Sequence, residues 1–117
     1  MKHLLILNDP PYGTERSFNG LRMAHALAKN DPKAEITVFL MADAVVCANA
    51  GQKTPDGYYN LERMLRRVLS AKGRVLMCGT CMDARGLRVE DMVEGAGRST
   101  MDELAQATLT ADRVMVF

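Results

Sequence analysis

The chain has 117 residues, 48% apolar and 25% charged, which is the composition of one globular domain over residues 1–117 and excludes a disordered, collagen-like or membrane protein. Fifteen basic against fourteen acidic residues leave a formal net charge of +1, too weak a field to hold a nucleic-acid backbone or an anionic membrane surface. The apolar run Leu4-Leu5-Ile6-Leu7 stops at Asn8-Asp9-Pro10-Pro11, far short of a membrane span or a signal peptide, so a cytoplasmic protein is expected.

Residues 3–8 read as a short buried strand, and the turn-rich Asn8-Asp9-Pro10-Pro11-Tyr12-Gly13-Thr14 leads into a helix over about 15–29. In that helix Phe18, Leu21, Ala24 or His25, and Ala28 recur at three- and four-residue spacing as one apolar stripe, with Arg16, Asn19 and Arg22 off its centre. Asn30-Asp31-Pro32 stops the helix, and residues 35–41 form a second, β-branched strand. Asp43 is placed to cap a short helix to about residue 50, and residues 51–60 carry the Pro, Asp-Gly and Asn signals of a loop. Asn60 caps a helix over about 61–72, where Leu61, Met64, Leu65, Val68 and Leu69 share a face, and Gly73 ends it.

A third strand at 74–77 runs directly into Cys78-Gly79-Thr80-Cys81. A short helical stretch near 89–94 and a small strand at 95–98 follow, and Thr100-Met101-Asp102-Glu103 is a capping-box pattern opening a helix to about 110. Residues 113–117 close the chain as a strand. Strands alternating with helices in this order predict an α/β fold, a mainly parallel five-stranded sheet with helices on both faces.

The two clustered cysteines fall at the carboxyl end of a parallel strand, where open α/β sheets place their sites. Thiols three positions apart meet across one turn, and a thiol at a helix start gains thiolate character, the form that acts as a nucleophile. Arg85, seven residues beyond Cys78, is positioned either to add positive charge beside the sulfur or to lie in solvent. The same Cys-x-x-Cys spacing serves zinc and disulfide-exchange sites. Zinc needs about four ligands, and Cys47, His3 and His25 stand at no helpful spacing. The thioredoxin pattern puts its pair after the first strand and this chain has no tryptophan beside it. No cofactor or metal is expected. Cys47, among Ala44, Val45, Val46 and Ala48, reads as a core cysteine, and His3 and His25 as structural residues. The first loop can present Tyr12, Glu15 and Ser17 at the same sheet edge, although its composition also suits a plain strand-to-helix turn. Met77 and Met82 flank the cysteines and suit a soft apolar pocket, an interface or ordinary core filling.

Asn8-Asp9-Pro10-Pro11-Tyr12-Gly13-Thr14-Glu15, Leu21-Arg22-Met23-Ala24, Phe39-Leu40-Met41-Ala42-Asp43-Ala44, Gly51-Gln52-Lys53 and the stretch from Cys78 to Gly86 together resemble the DsrE-like family, in its YchN-type branch, through nearly the whole chain. The resemblance implies a parallel-rich α/β sandwich that assembles into trimers or hexamers. It implies a relay in which a cysteine receives sulfane sulfur as a persulfide from a donor protein, a small persulfide or thiosulfate, and passes it to an acceptor. In relay relatives the carrier cysteine follows the strand and precedes an Arg-Gly pair at a fixed interval, which assigns the role to Cys78 with Arg85-Gly86 at the matching distance. Cys81 has no counterpart in those carriers, and it implies a thiol that resolves the persulfide to a disulfide with release of sulfide. The expected site is thus Cys78, Cys81 and Arg85 for the chemistry, with Tyr12, Gly13, Glu15, Gly79, Thr80 and Gly86 around the substrate. The competing expectation is a non-catalytic oligomeric interaction module whose thiols pack or respond to oxidation.

Overall fold

The computed structural model describes all 117 residues. Five strands, β1 (Lys2–Leu7), β2 (Glu35–Leu40), β3 (Arg74–Cys78), β4 (Gly97–Ser99) and β5 (Arg113–Val116), form one sheet in the order β4-β3-β2-β1-β5. Every pairing is parallel. The helices are α1 (Arg16–Asn30), α2 (Leu61–Ser70), α3 (Gly79–Ala84) and α4 (Met101–Thr110), with 3₁₀ segments at Ala42–Ala48 and Val89–Asp91.

The order explains the layers. From β1 to β4 the chain steps in one direction across the sheet, and right-handed crossovers put α1 and α2 on one face, where they pack against each other. The step from β4 to β5 goes back past β1, so α4 lies on the opposite face, against β1. Central strands covered on both faces need apolar residues at successive positions, and Leu4, Leu5 and Leu7 of β1 and Val38, Phe39 and Leu40 of β2 are all buried. The α/β sheet with two covered faces is therefore as the alternation of elements predicts.

The buried face of α1 differs from the predicted stripe. Ser17, Gly20, Leu21 and Ala24 are inside, while Phe18 is only half-buried and stacks on Tyr59, ring centroids 4.3 Å apart. The reason is closeness: Gly20 lies directly on the Leu7 side chain, and a Cβ there would also sit 3.1 Å from the Phe117 ring. A glycine-to-alanine change at Gly20 is expected to cost about 1–3 kcal/mol through overpacking. An unchanged urea midpoint for Gly20→Ala would contradict that contact.

Side chains set the helix boundaries. The Asn60 carboxamide accepts the Arg63 amide at 3.1 Å, and the Thr100 hydroxyl accepts that of Glu103 at 3.1 Å, as their positions predict. Asp43 does not cap the 3₁₀ segment and is instead drawn to Arg85. His25 donates from Nε2 to the Met64 carbonyl at 2.9 Å and ties α1 to α2. The 51–60 loop is organised by Gln52, whose side chain donates to the carbonyls of Cys47 and Asn49 and whose Oε1 accepts the Tyr12 hydroxyl at 2.6 Å.

Candidate functional site

Strand β3 is buried from Val75 to Cys78, so its last side chain is delivered to the sheet edge with little freedom. Gly79 starts α3, which makes Cys78 the residue that caps that helix. Its Sγ accepts the Cys81 amide at 3.4 Å and lies 3.2 Å from the Thr80 hydroxyl. Burial opposes ionisation of Cys78, yet the hydrogen bonds from the Cys81 thiol, the Thr80 hydroxyl and both their amides outweigh it and bring this thiol below its ordinary value.

Cys81 moves the other way. Burial and the hydrogen bond it gives to Cys78 push its thiol up, and the Cys78 charge adds to this, against smaller opposing effects of the Ala42 amide and Arg85. The Ala42 N–H reaches the Cys81 sulfur at 3.2 Å from a residue held at φ +53°, and the Met41 sulfur is 3.8 Å away. A positive φ at a non-glycine residue is uncommon, and here it aims an amide at a sulfur. The two shifts run in opposite directions, so Cys78 is the more readily ionised thiol of the pair.

A cavity of about 310 Å³ opens beside Cys78, and its lining includes the apolar Phe39, Met41 and Met101 and the polar Thr80, Arg98 and Thr100. Strand β4 brings the second group there, since Ser99 pairs in register with Cys78. Arg98 forms a two-pronged ion pair with Asp83, both contacts 2.8 Å, and its guanidinium lies over Gly79.

The site residues read from the sequence divide into three groups. Cys78, Cys81, Gly79 and Thr80 are gathered at one point. Arg85 is close by but engaged: Nε and Nη2 bind the Asp43 carboxylate at 2.9 and 2.7 Å, and Nη1 binds the Cys81 carbonyl at 3.0 Å, so it braces the Cys81 side of the pair. Gly86, at φ +64°, ends α3, with its amide on Asp83 and that of Leu87 on Met82, the Schellman arrangement. Tyr12, Gly13 and Glu15 stand on the loop after β1, with β2 between that strand and β3. Within the chain, Tyr12 is used to bind Gln52 and the Leu61 amide, and it stacks on Tyr59. Gly13 makes a turn at φ +98° and the Glu15 side chain makes no capping bond.

Arg98, Thr100, Phe39 and Met41 are absent from the sequence-derived site. Arg98 lies twenty residues from Cys78 in a three-residue strand, and nothing short of the pairing of β3 with β4 brings the two together. Cys47 is fully buried, as its apolar neighbours predict, and burial pushes its thiol up to about 12. It is expected to resist iodoacetamide in the folded protein at pH 8 and to react once denatured. Mass mapping that finds Cys47 modified as fast as Cys78 in the native state would refute this.

A parallel five-stranded α/β domain with a thiol pair at the end of its third strand is a member of the DsrE/DsrF-like family, whose model matches residues 1–117; the chain belongs to that family. Protein YchN of Escherichia coli is 40% identical over 116 residues, covering 99% of this chain and 98% of the relative. The crystal structure of the E. coli ychN protein superimposes with a TM-score of 0.94, over 99% of this chain and 98% of that one. Sulfurtransferase TusD of Salmonella arizonae is 29% identical over 129 residues and is matched along the full length of both chains.

Proposed function

We propose that the protein is a sulfur-relay protein that carries sulfane sulfur as a persulfide on Cys78. The observation that carries this reading is the asymmetry of the thiol pair: beside the cavity, hydrogen bonds bring the Cys78 thiol below its ordinary value, while burial and the bond to Cys78 push that of Cys81 up. The similarity to a sulfurtransferase supports the same chemistry.

In the loading step the Cys78 thiolate attacks the outer sulfur of a donor, the donor's S–S bond breaks, and the donor's remaining fragment leaves with the electron pair. Cys78 then holds one extra sulfur. Delivery is attack on that outer sulfur by an acceptor thiolate, which returns Cys78 as a thiolate. Alternatively, Cys81 loses its proton and attacks the Cys78 Sγ, hydrosulfide leaves, and a Cys78–Cys81 disulfide remains, to be reset by a dithiol reductant. A cytoplasmic setting suits thiols that must return to the reduced state. Exposed Leu109 and Val116 on α4 and β5 support assembly with further copies of the chain, as trimers or hexamers.

The test is the intact mass of the reduced protein after exposure to a sulfane-sulfur donor. A gain of one sulfur atom that a phosphine or dithiol removes is the expected result. No gain with any donor would instead favour the oligomeric interaction module.

A further inference from the structure

Arginine at position 98 is prepared for a ligand in a way that its ion pair alone does not require. A guanidinium has five N–H donors, and Asp83 takes one each from Nη1 and Nη2, leaving Nε–H and the second hydrogens of both Nη atoms without a protein acceptor. The bidentate contact to Asp83 fixes the plane of the group. The absence of a side chain at residue 79 lets that plane come down beside Cys78: a Cβ on Gly79 would lie 2.8 Å from Arg98 Cζ and 2.9 Å from Nε. Arg98 also lines the cavity that opens at Cys78. Asp83 holds the Arg98 proton by its hydrogen bond and charge, and the Cys78 sulfur contributes in the same direction.

We propose that Arg98 is the anion anchor of the Cys78 site, and that the cavity it borders receives a small sulfur donor whose sulfane sulfur is joined to an anionic –SO₂ or –SO₃ headgroup. This rests on the sulfur-relay reading for its chemistry and on the Arg98 geometry for its selectivity. The headgroup takes the free N–H donors of Arg98, in a cavity whose lining also offers the polar Thr80 and Thr100 and the soft, apolar Phe39, Met41 and Met101. The outer sulfur is then presented to the Cys78 thiolate. Attack forms the Cys78 persulfide, the S–S bond breaks, and sulfite or a sulfinate leaves with the electron pair as an anion still held by the same guanidinium. No external oxidant or reductant enters this step. Arg85 is not placed to serve in the same way: it does not line this cavity, and Asp43 and the Cys81 carbonyl take its Nε–H and one hydrogen of each Nη.

Two measurements on the full chain test this, one independent of sulfur transfer. The ratio of Cys78 alkylation rates with anionic iodoacetate and neutral iodoacetamide, read by mass, reports the positive charge facing the thiolate. In Arg98→Gln this ratio is expected to fall about threefold or more, with iodoacetamide reactivity within about twofold of wild type, and loading from thiosulfate is expected to fall about tenfold. Arg98→Lys should recover part of the ratio, and Gly79→Ala, which keeps the charge but displaces it, should lower it. An unchanged ratio in Arg98→Gln, or an equal fall in Arg85→Gln, would overturn the anchor. A ratio that falls in Arg98→Gln while the wild type forms no persulfide with any donor would uphold the anchor and reject the relay reading, so the two failures are distinct.

Discussion

Cys78→Ser is expected to reduce sulfur loading by at least about a hundredfold, whereas Cys81→Ser is expected to load normally and to retain its persulfide longer than wild type. A serine hydroxyl stays protonated where the Cys78 thiol ionises, so the nucleophile is lost without disturbing the cap of α3, which an oxygen can equally accept. Removing Cys81 leaves the nucleophile in place and deletes the thiol positioned to release hydrosulfide. The pH dependence follows from the direction of the shift. A lowered thiol pKa means that thiolate, and therefore loading rate, is already present at a pH below that of an ordinary cysteine, and that the rate falls only as the pH drops through the lowered value. Thr80→Val removes one of the hydrogen bonds responsible and should shift the profile of alkylation rate toward higher pH. Mass spectra showing loading on Cys81 in the Cys78→Ser protein would reverse the assignment of the nucleophile.

The largest expected loss of stability comes from Phe39→Ala. Phe39 is fully buried in β2, flanked in register by Ile6 of β1 and Leu76 of β3, and it also lines the cavity beside Cys78. Truncation removes the ring's transfer free energy and leaves a hole that rigid β-strands cannot close, a cost of about 3–5 kcal/mol. Against a total stability of roughly 5–15 kcal/mol for a domain of this kind, that is enough to populate the unfolded state measurably. Met101→Ala bounds the same cavity from outside but is 64% exposed, and is expected to change stability by less than about 0.5 kcal/mol. Urea midpoints at one fixed protein concentration separate the two. A Phe39→Ala midpoint matching that of Met101→Ala would mean that α4 settles onto the sheet and fills the space.

Some features of the site needed no structure because their causes are local. Asn60 and Thr100 cap helices through bonds to amides three residues away, and Cys78, Thr80 and Cys81 meet because one turn of helix brings them together. Other features depend on which surfaces meet. The α1 periodicity names Phe18 as a core residue, but the sheet approaches so closely that Gly20 takes the central place and Phe18 moves aside to Tyr59. Asp43 has the position of a cap and is taken by Arg85 from a segment forty-two residues away. Tyr12 suits a substrate loop by composition, yet its hydroxyl is held by Gln52.

The arginine assignment marks the boundary most sharply. Sequence alone determined the α/β class, the parallel sheet, the thiol pair at the end of β3 and the burial of Cys47, because apolar periodicity, capping and one-turn contacts are encoded within a few residues. Which arginine lines the cavity beside Cys78 was decided only by the tertiary structure. Arg85 is near in sequence but turns toward Asp43, and Arg98 is remote but arrives on the strand paired with β3. The physical reason is that strand order and register are set by burial of the whole sheet, and they position a charge within the reach of electrostatics independently of its distance along the chain.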